Sequence, residues 1–173
     1  MLRSFPQTRR WALLGLAGIS VAGCSAFEPP PLQCPPIAIL PDASRLVRYA
    51  GGTDLTDVIF EANIESVTPA CQRSGETLEA DLTVVISARR GPAMQGDTAN
   101  FSYFVAVTAA DQRLLARQEF PVSIPLSAQG RRVRLTELVQ PQMPLTETQS
   151  QFGYRLFIGF VLTRQELQEN RGG

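Results

Sequence analysis

Apolar side chains occupy every second position from residue 78 to residue 86. The apolar residues are Leu78, Ala80, Leu82, Val84 and Ile86, and the residues that alternate with them are Glu79, Asp81, Thr83, Val85 and Ser87. Because successive side chains of a β-strand point to opposite faces of its sheet, this period of two predicts a half-buried strand.

Other segments of strand length show a similar period and are separated by turn-forming residues. They cover residues 58–65, 101–107, 114–122, 133–139 and 154–162. Ala110-Asp111-Gln112 predicts a hairpin turn before the segment 114–122. Glu137 interrupts the apolar face of the segment 133–139. The last segment has Phe157 and Val161 on its second face, which predicts a central strand covered on much of both sides.

The chain ends in a helix signal. Thr163-Arg164-Gln165-Glu166 has the spacing of a capping box, which predicts a short helix over residues 164–169. Six or seven strands in about 110 residues, without a long helix, predict an all-β fold: an immunoglobulin/fibronectin-III-like β-sandwich with a short C-terminal helix. The Cys-Trp-Cys signature of antibody domains is missing, so this likeness is architectural only.

The first residues have the organisation of a secretory signal. Arg3, Arg9 and Arg10 precede the mostly apolar segment 11–22, which is too short to span a membrane as a helix. Val21-Ala22-Gly23-Cys24 then resembles the lipobox of bacterial lipoproteins in all four positions. The resemblance implies that Cys24 is acylated and becomes the new N-terminus, and that residues 1–23 are removed.

Three alternatives for this segment remain open. The first is an ordinary cleaved signal peptide and the second is a buried apolar helix, and in both of these Cys24 is not acylated. The third is a twin-arginine signal. Ala12 stands where twin-arginine signals usually have a bulky apolar residue, so the general secretory route is preferred. Ser25 is non-acidic, which in enteric lipoproteins permits transfer to the outer membrane. We therefore expect a lipid-anchored protein facing the periplasm, in the outer membrane rather than the inner.

A proline-rich spacer is expected between the anchor and the domain. Residues 25–36 contain Pro29, Pro30, Pro31, Pro35 and Pro36, which favour an extended polyproline geometry. The predicted organisation is a signal peptide over 1–23, a lipidated N-terminus and spacer over 24–36, and one sandwich domain over 37–173.

Two cysteines remain once Cys24 is assigned to the lipid. Cys34 and Cys71 form an even pair in an oxidising compartment, and a disulfide between them is the default expectation. The alternative is two free thiols.

Composition excludes several classes of function. Removal of residues 1–23 leaves 13 basic against 16 acidic residues, a formal charge of −3, which argues against nucleic acid as a partner. The chain has no histidine and no lysine, and therefore no histidine-activated nucleophile, no histidine-ligated zinc, no Schiff base and no P-loop lysine. Glycine-rich phosphate loops and the Gly-x-Ser-x-Gly motif are also missing. We therefore expect that the protein has no catalytic activity and binds no cofactor.

A group of arginines is the candidate contact for an anionic partner. Arg131, Arg132 and Arg134, joined by Arg89 and Arg90, have the charge and the fork of donors that suit phosphate or an anionic polymer. The alternative is that they are outward charges on an edge strand, which resist aggregation.

Acidic side chains suggest two further possibilities. If the first two strands form a direct hairpin, Glu65 lies about opposite Glu79 and Asn63 opposite Asp81, and together with Glu61 they would favour a calcium ion; a solvated face is preferred, so no metal site is expected. Asp54 and Asp57 are a carboxylate pair that acid and base catalysis would require, although nothing in the sequence positions them.

The function expected from these features is that of a tethered, non-catalytic domain that binds or assembles another envelope protein. One alternative is a carrier of a small apolar ligand held between the two sheets. A weaker alternative is a hydrolase of envelope polymers that uses Asp54 or Asp57.

Overall fold

The alternating segments form the strands of two β-sheets. The structure is a computed structural model that describes residues 32–128, 132–145 and 153–172 of the 173-residue chain. The strands are β1 (Ile37–Ile39), β2 (Arg45–Tyr49), β3 (Val58–Ser74), β4 (Thr77–Arg90), β5 (Thr98–Ala109), β6 (Leu114–Pro125), β7 (Val133–Val139), β8 (Gln142–Pro144) and β9 (Tyr154–Phe160), followed by the helix α1 (Arg164–Gly172).

The described strands divide between two sheets that make an all-β sandwich. Sheet A has the order β1-β9-β5-β6, and sheet B has the order β2-β3-β4-β7, with β8 paired to the far end of β4. Within sheet A, β1 runs parallel to β9, and the remaining pairs in both sheets are antiparallel. β9 lies between β1 and β5, so the prediction of a central last strand is confirmed.

The hairpin of β3 and β4 is direct, but the predicted register is wrong. Both strands continue to a two-residue turn at Gly75 and Glu76, where Gly75 has a φ of +59°, a left-handed conformation that glycine adopts without steric cost. Glu79 therefore faces Gln72. Asp81 faces Ala70, and Glu65 is unpaired at a bulge between Ile64 and Ser66. The error arose because the strands extend further toward the turn than the alternation indicated.

The core lies between the two sheets and is continuous across them. Its aromatic centre is Phe101, whose ring centroid is 5.9 Å from that of Phe60 in sheet B and 5.4 Å from that of Phe160 in sheet A. The inward side of β4, Leu78 to Ala88 in alternation, is at most 1% exposed. Burial of each large apolar side chain stabilises the fold by about 1.5 to 3 kcal/mol.

The predicted capping box forms and begins α1. The backbone N–H of Glu166 donates to the Thr163 hydroxyl at 3.2 Å, and the Glu166 carboxylate accepts the Thr163 N–H at 2.7 Å. Glu166 also pairs with Arg48 of β2, with 2.9 Å between Nε and Oε1. The helix continues to Gly172, three residues beyond its predicted end. Among the described residues, no helix is long and apolar enough to cross a membrane.

Candidate functional site

The outer face of sheet B has the largest group of charged side chains among the described residues that face one another. Pairing places Arg45 of β2 beside Asn63, Glu61 of β3 opposite Arg89 of β4, and Ser87 opposite Arg134 of β7. Paired residues share a face, so the register brings together side chains from four strands. We call the set of Arg45, Glu61, Glu65, Arg89, Arg132 and Arg134 the arginine face.

Glu61 is at the centre of one half of this face. Its carboxylate accepts a hydrogen bond from Arg89 at 2.9 Å and another from Arg45 at 3.2 Å. Partial burial acts to raise the pKa of Glu61, but the hydrogen bonds from Arg89 and Asn63 and the charge of Arg45 outweigh it and hold the pKa below its usual value. Glu61 therefore stays ionised at neutral pH.

Glu65 has the same place in the other half. Arg134 contacts it at 2.7 Å and Arg132 at 3.6 Å. The Ser87 hydroxyl and the guanidinium groups of Arg134 and Arg132 together lower the pKa of Glu65. Four arginines thus surround two carboxylates within the arginine face.

A groove of about 430 Å³ lies at the Glu61 end of the arginine face. Arg45, Arg89, Arg90 and Glu61 form its charged part, and its apolar lining includes Val47, Tyr49, Leu55, Val58 and Pro92. Leu55 stands in the turn before β3 and is 84% exposed, which is unusual for a leucine. The groove therefore combines forked cationic donors with apolar surface, the pattern of a protein-binding patch.

Only some of the arginines that were predicted to form a cluster belong to the arginine face. Arg132, Arg134 and Arg89 lie on the arginine face, whereas Arg131 lies outside the described residues. Arg90 also lines the groove, but its guanidinium donates to the carbonyl oxygens of Gly96, Met94 and Leu126, which connects the segment after β4 to the end of β6. Arg45 was not predicted as part of this cluster, since its position there depends on the pairing of β2 with β3.

The acidic residues lie in separate environments. Glu79 accepts from the Gln72 amide at 3.0 Å, and Asp81 accepts from the Gln140 amide at 2.7 Å. In the described part of the chain, no three His, Cys, Asp or Glu side chains come together in a way that holds a metal ion. Asp54 precedes the short 3-10 turn Leu55–Asp57, and the N–H of Asp57, its last residue, donates to the Asp54 carbonyl at 2.9 Å.

Two of the three cysteines with a predicted role are described by the structure. Cys34 and Cys71 form a disulfide, which confirms the predicted pair. It joins the segment before β1 to β3, and so links sheet A to sheet B. Cys24 lies outside the described residues.

A second cavity, of about 390 Å³, lies on the outer side of sheet A. Leu40, Phe104, Phe160, Leu162 and Leu167 form most of its apolar lining, with Arg117, Arg171 and Asp42 among its polar residues. It is bounded by α1 and by the 3-10 turn Pro41–Ala43, which packs so closely on β9 that a Cβ added at Gly159 would come within 2.7 Å of the Ala43 Cβ.

Compared with protein families, curated proteins and solved structures, this chain has no significant match. Its function is therefore inferred from its own residues.

Proposed function

We propose that this chain is a lipid-anchored protein of the bacterial cell envelope whose sandwich domain works by binding another envelope protein, without catalysis. The resemblance of Val21-Ala22-Gly23-Cys24 to a lipobox supports the anchor, and the proline-rich residues that follow support a spacer. The arginine face and its groove support the binding role.

The groove beside Glu61 is the observation that carries this proposal. Exposed ion pairs such as Arg45–Glu61 and Arg89–Glu61 contribute only about 0 to 1 kcal/mol to folding, because solvent screens them. Stability alone therefore does not account for two arginines around one carboxylate. Each guanidinium keeps further donors that are free to bind a second carboxylate. The partner surface expected here is an acidic segment with an apolar side chain that packs on Leu55.

The binding role is tested with a photoreactive amino acid in place of Val47, which lines the groove, in cells of the native host. We expect one specific protein adduct, and we expect R45Q/R89Q to reduce it by at least about tenfold, because each charge-assisted hydrogen bond contributes about 1.5 to 3 kcal/mol and about 1.4 kcal/mol corresponds to a factor of ten. The matched control is R113Q/R155Q, which removes two exposed arginines elsewhere and should leave the adduct unchanged. An equal effect of the two variants would count against the groove.

The anchor is tested separately by Cys24→Ser. The wild-type protein is expected in the membrane fraction with an acylated N-terminus at Cys24, and the variant is expected to carry no acyl chain and to keep its signal uncleaved at this site. A wild-type protein whose Cys24 carries no acyl chain by mass spectrometry would contradict lipidation as the anchor.

The cavity on sheet A favours a second candidate function, the transport of a small apolar ligand. Its volume, about 390 Å³, falls within the usual range for ligand sites, and its position differs from the site between the sheets that the sequence suggested. Native mass spectrometry of the purified protein tests this role. A carrier should retain a bound mass that Leu167→Arg removes, whereas a protein-binding domain should have none.

We also propose that the sandwich is related in architecture to the immunoglobulin and fibronectin type III domains. Two packed sheets of mostly antiparallel strands support this. The order β2-β3-β4-β7 in sheet B is that of a meander extended by β7, so the likeness does not extend to strand connections. A solved structure of the chain, superposed on both families, tests the relation.

A further inference from the structure

β6 is an open edge of sheet A over its first half. In the described part of the chain it pairs only with β5, and its residues from Leu114 to Glu119 are exposed on both faces of the strand. Leu114 is 57% exposed and Leu115 is 38% exposed. An edge of this kind has unpaired backbone N–H and C=O groups that are ready to pair with another strand.

Two prolines show which backbone groups face outward. Pro121 and Pro125 lie within the ladder opposite Ser102 and Thr98. Proline has no N–H to give to β5, so these positions direct their backbone away from β5 and toward the open side. Alternate residues of a strand share this direction, so the N–H and C=O groups of Arg117 and Glu119 also point outward.

The usable part of this edge is short and symmetric. On one side it ends at Leu115, the unpaired residue of a bulge between the pairs Ala116–Val107 and Leu114–Thr108. On the other side it ends at Pro121, which cannot donate. The five residues 116–120 between these limits have Gln118 at their centre.

The charges on this window are self-complementary. Arg117 and Glu119 lie on the same face of β6 and form an ion pair, and the Arg117 guanidinium also lies 4.3 Å from the ring centroid of Phe104. When an identical strand pairs antiparallel about Gln118, Arg117 of each copy faces Glu119 of the other. Both are residues with outward N–H and C=O groups, so the two facing pairs exchange their backbone hydrogen bonds.

We propose that two copies of this chain associate through antiparallel pairing of β6 with β6, with the two-fold axis at Gln118. A two-fold interface requires a patch that complements itself, and the bulge, the proline and the opposite charges all satisfy that requirement about the same residue. The result is a sheet of eight strands made from the two copies of sheet A. The interface is on sheet A and the groove is on sheet B, so this inference goes beyond the proposed binding role and does not depend on the groove.

Disulfide trapping in native membranes tests the register. Gln118 meets Gln118 of the second copy as a non-hydrogen-bonded pair, whose Cα atoms are about 4.5 Å apart, within the range that a disulfide spans. Full-length Q118C, oxidised in the membrane and run without reductant, should give a band of twice the monomer mass. The native Cys34–Cys71 pair is already closed and gives no such band.

Glu119→Cys is the matched control. Residue 119 of each copy lies diagonal to its counterpart, about 7 to 8 Å away and beyond the reach of a disulfide. We expect E119C to dimerise at most about a tenth as well as Q118C, because cross-linking depends on this separation. Equal yields from Q118C and E119C, or no dimer from either, would overturn the proposal.

Charge reversal gives an independent test. R117E and E119R each place like charges opposite one another at both facing pairs, and each should lower the apparent dimer affinity about tenfold in analytical ultracentrifugation of the detergent-solubilised protein. The double variant R117E/E119R restores opposite charges within each chain and between chains, and should recover the wild-type affinity. Failure of the double variant to recover, or wild-type affinity in both single variants, would contradict β6 pairing.

Discussion

At the scale of single residues, both outer strands of sheet B direct one charged side chain toward the interior. Arg48 of β2 lies 5.8 Å from the Phe60 ring centroid and is neutralised by Glu166 of α1. Glu137 of β7 accepts a hydrogen bond of 3.0 Å from the Tyr103 hydroxyl. Inward charges on edge strands discourage pairing with other chains, because further association would bury them. Sheet B is protected in this way, whereas the first half of β6 in sheet A is not.

Tyr103→Phe should destabilise the fold and weaken its sensitivity to alkali. Burial, the hydrogen bond to Glu137 and the charge of that carboxylate all raise the pKa of Tyr103. Because the pKa of Tyr103 is higher in the folded state, its contribution to stability is complete below the unfolded pKa of about 10. That contribution falls as the pH rises above this value. We expect a loss of about 1 to 2 kcal/mol at pH 7 in urea unfolding, and a smaller decline above pH 10 than in the wild type.

Tyr49→Phe is the control for this measurement, because Tyr49 lies on β2 at the outer face of sheet B. It should leave the alkaline decline intact. If Y103F declined with pH as steeply as the wild type, the hydrogen bond to Glu137 would not account for the pH dependence.

Glu61→Gln should make the protein less sensitive to acid. The pKa of Glu61 is held below its usual value of 4.5, so its contribution to stability is present above that value and is lost as the pH falls through the lower pKa of the folded state. Urea unfolding between pH 3 and pH 7 should therefore have a smaller slope in the variant. Glu79→Gln, on the same sheet but beside Gln72, should retain the wild-type slope.

The sequence identified some of these residues but not their partners. Glu137 was recognisable as an interruption in an apolar strand, because it breaks a local period. Its partner Tyr103, whose hydroxyl donates to the Glu137 carboxylate, belongs to the other sheet and is 34 positions away in the chain. Arg131, Arg132 and Arg134 were grouped because they are neighbours in the chain, whereas the arginine face is assembled across strands by the register of β2, β3, β4 and β7.

At the scale of elements, long strands were predictable and short ones were not. The strand predicted over residues 78–87 lies within β4, and the turn predicted at residues 110–112 lies between β5 and β6, where Gln112 has a φ of 67°. β1, with three residues, and β8, with three, are too short to show a period. β1 is held in place by pairing with β9, an interaction between the two ends of the domain.

Thr163→Ala should loosen α1 without unfolding the sandwich. The variant removes the hydroxyl that accepts the Glu166 N–H, and a lost cap costs about 1 kcal/mol. Because Glu166 also holds Arg48, the disturbance should reach the edge of β2. Hydrogen exchange at the amides of α1 and β2 should become several-fold faster, since about 1 kcal/mol changes an opening equilibrium by that much.

Thr163→Ser preserves the hydroxyl and is the matched control. It should exchange at nearly the wild-type rate. Equal acceleration in the alanine and serine variants would mean that the threonine methyl group, and not the cap, fixes the helix.

At the scale of the whole molecule, each sheet presents a different outer surface. Sheet B has the arginine face, and sheet A has the apolar cavity under α1 and the open edge of β6. The two proposed surfaces, one for a partner and one for a second copy of the chain, would together suit assembly, because a dimer would bring two partner sites together and strengthen a weak contact through effective concentration.

The disulfide is the one covalent link between the two sheets, within the described residues, apart from the chain itself. It closes a loop with a sequence separation of 37, and the loop-entropy relation assigns about 3 to 4 kcal/mol to a loop of that size. Replacement of both cysteines in C34A/C71A should therefore lower the free energy of unfolding by about that amount in urea at neutral pH, while sheet B, whose strands pair independently of the bond, keeps its β-structure by circular dichroism. Reductant should destabilise the wild type to the same degree and leave the variant unaffected. If reductant left the unfolding midpoint of the wild type unchanged, the contacts of β1 with β9 would be sufficient to hold the segment before β1 in place. The disulfide would then contribute nothing to the free energy of unfolding.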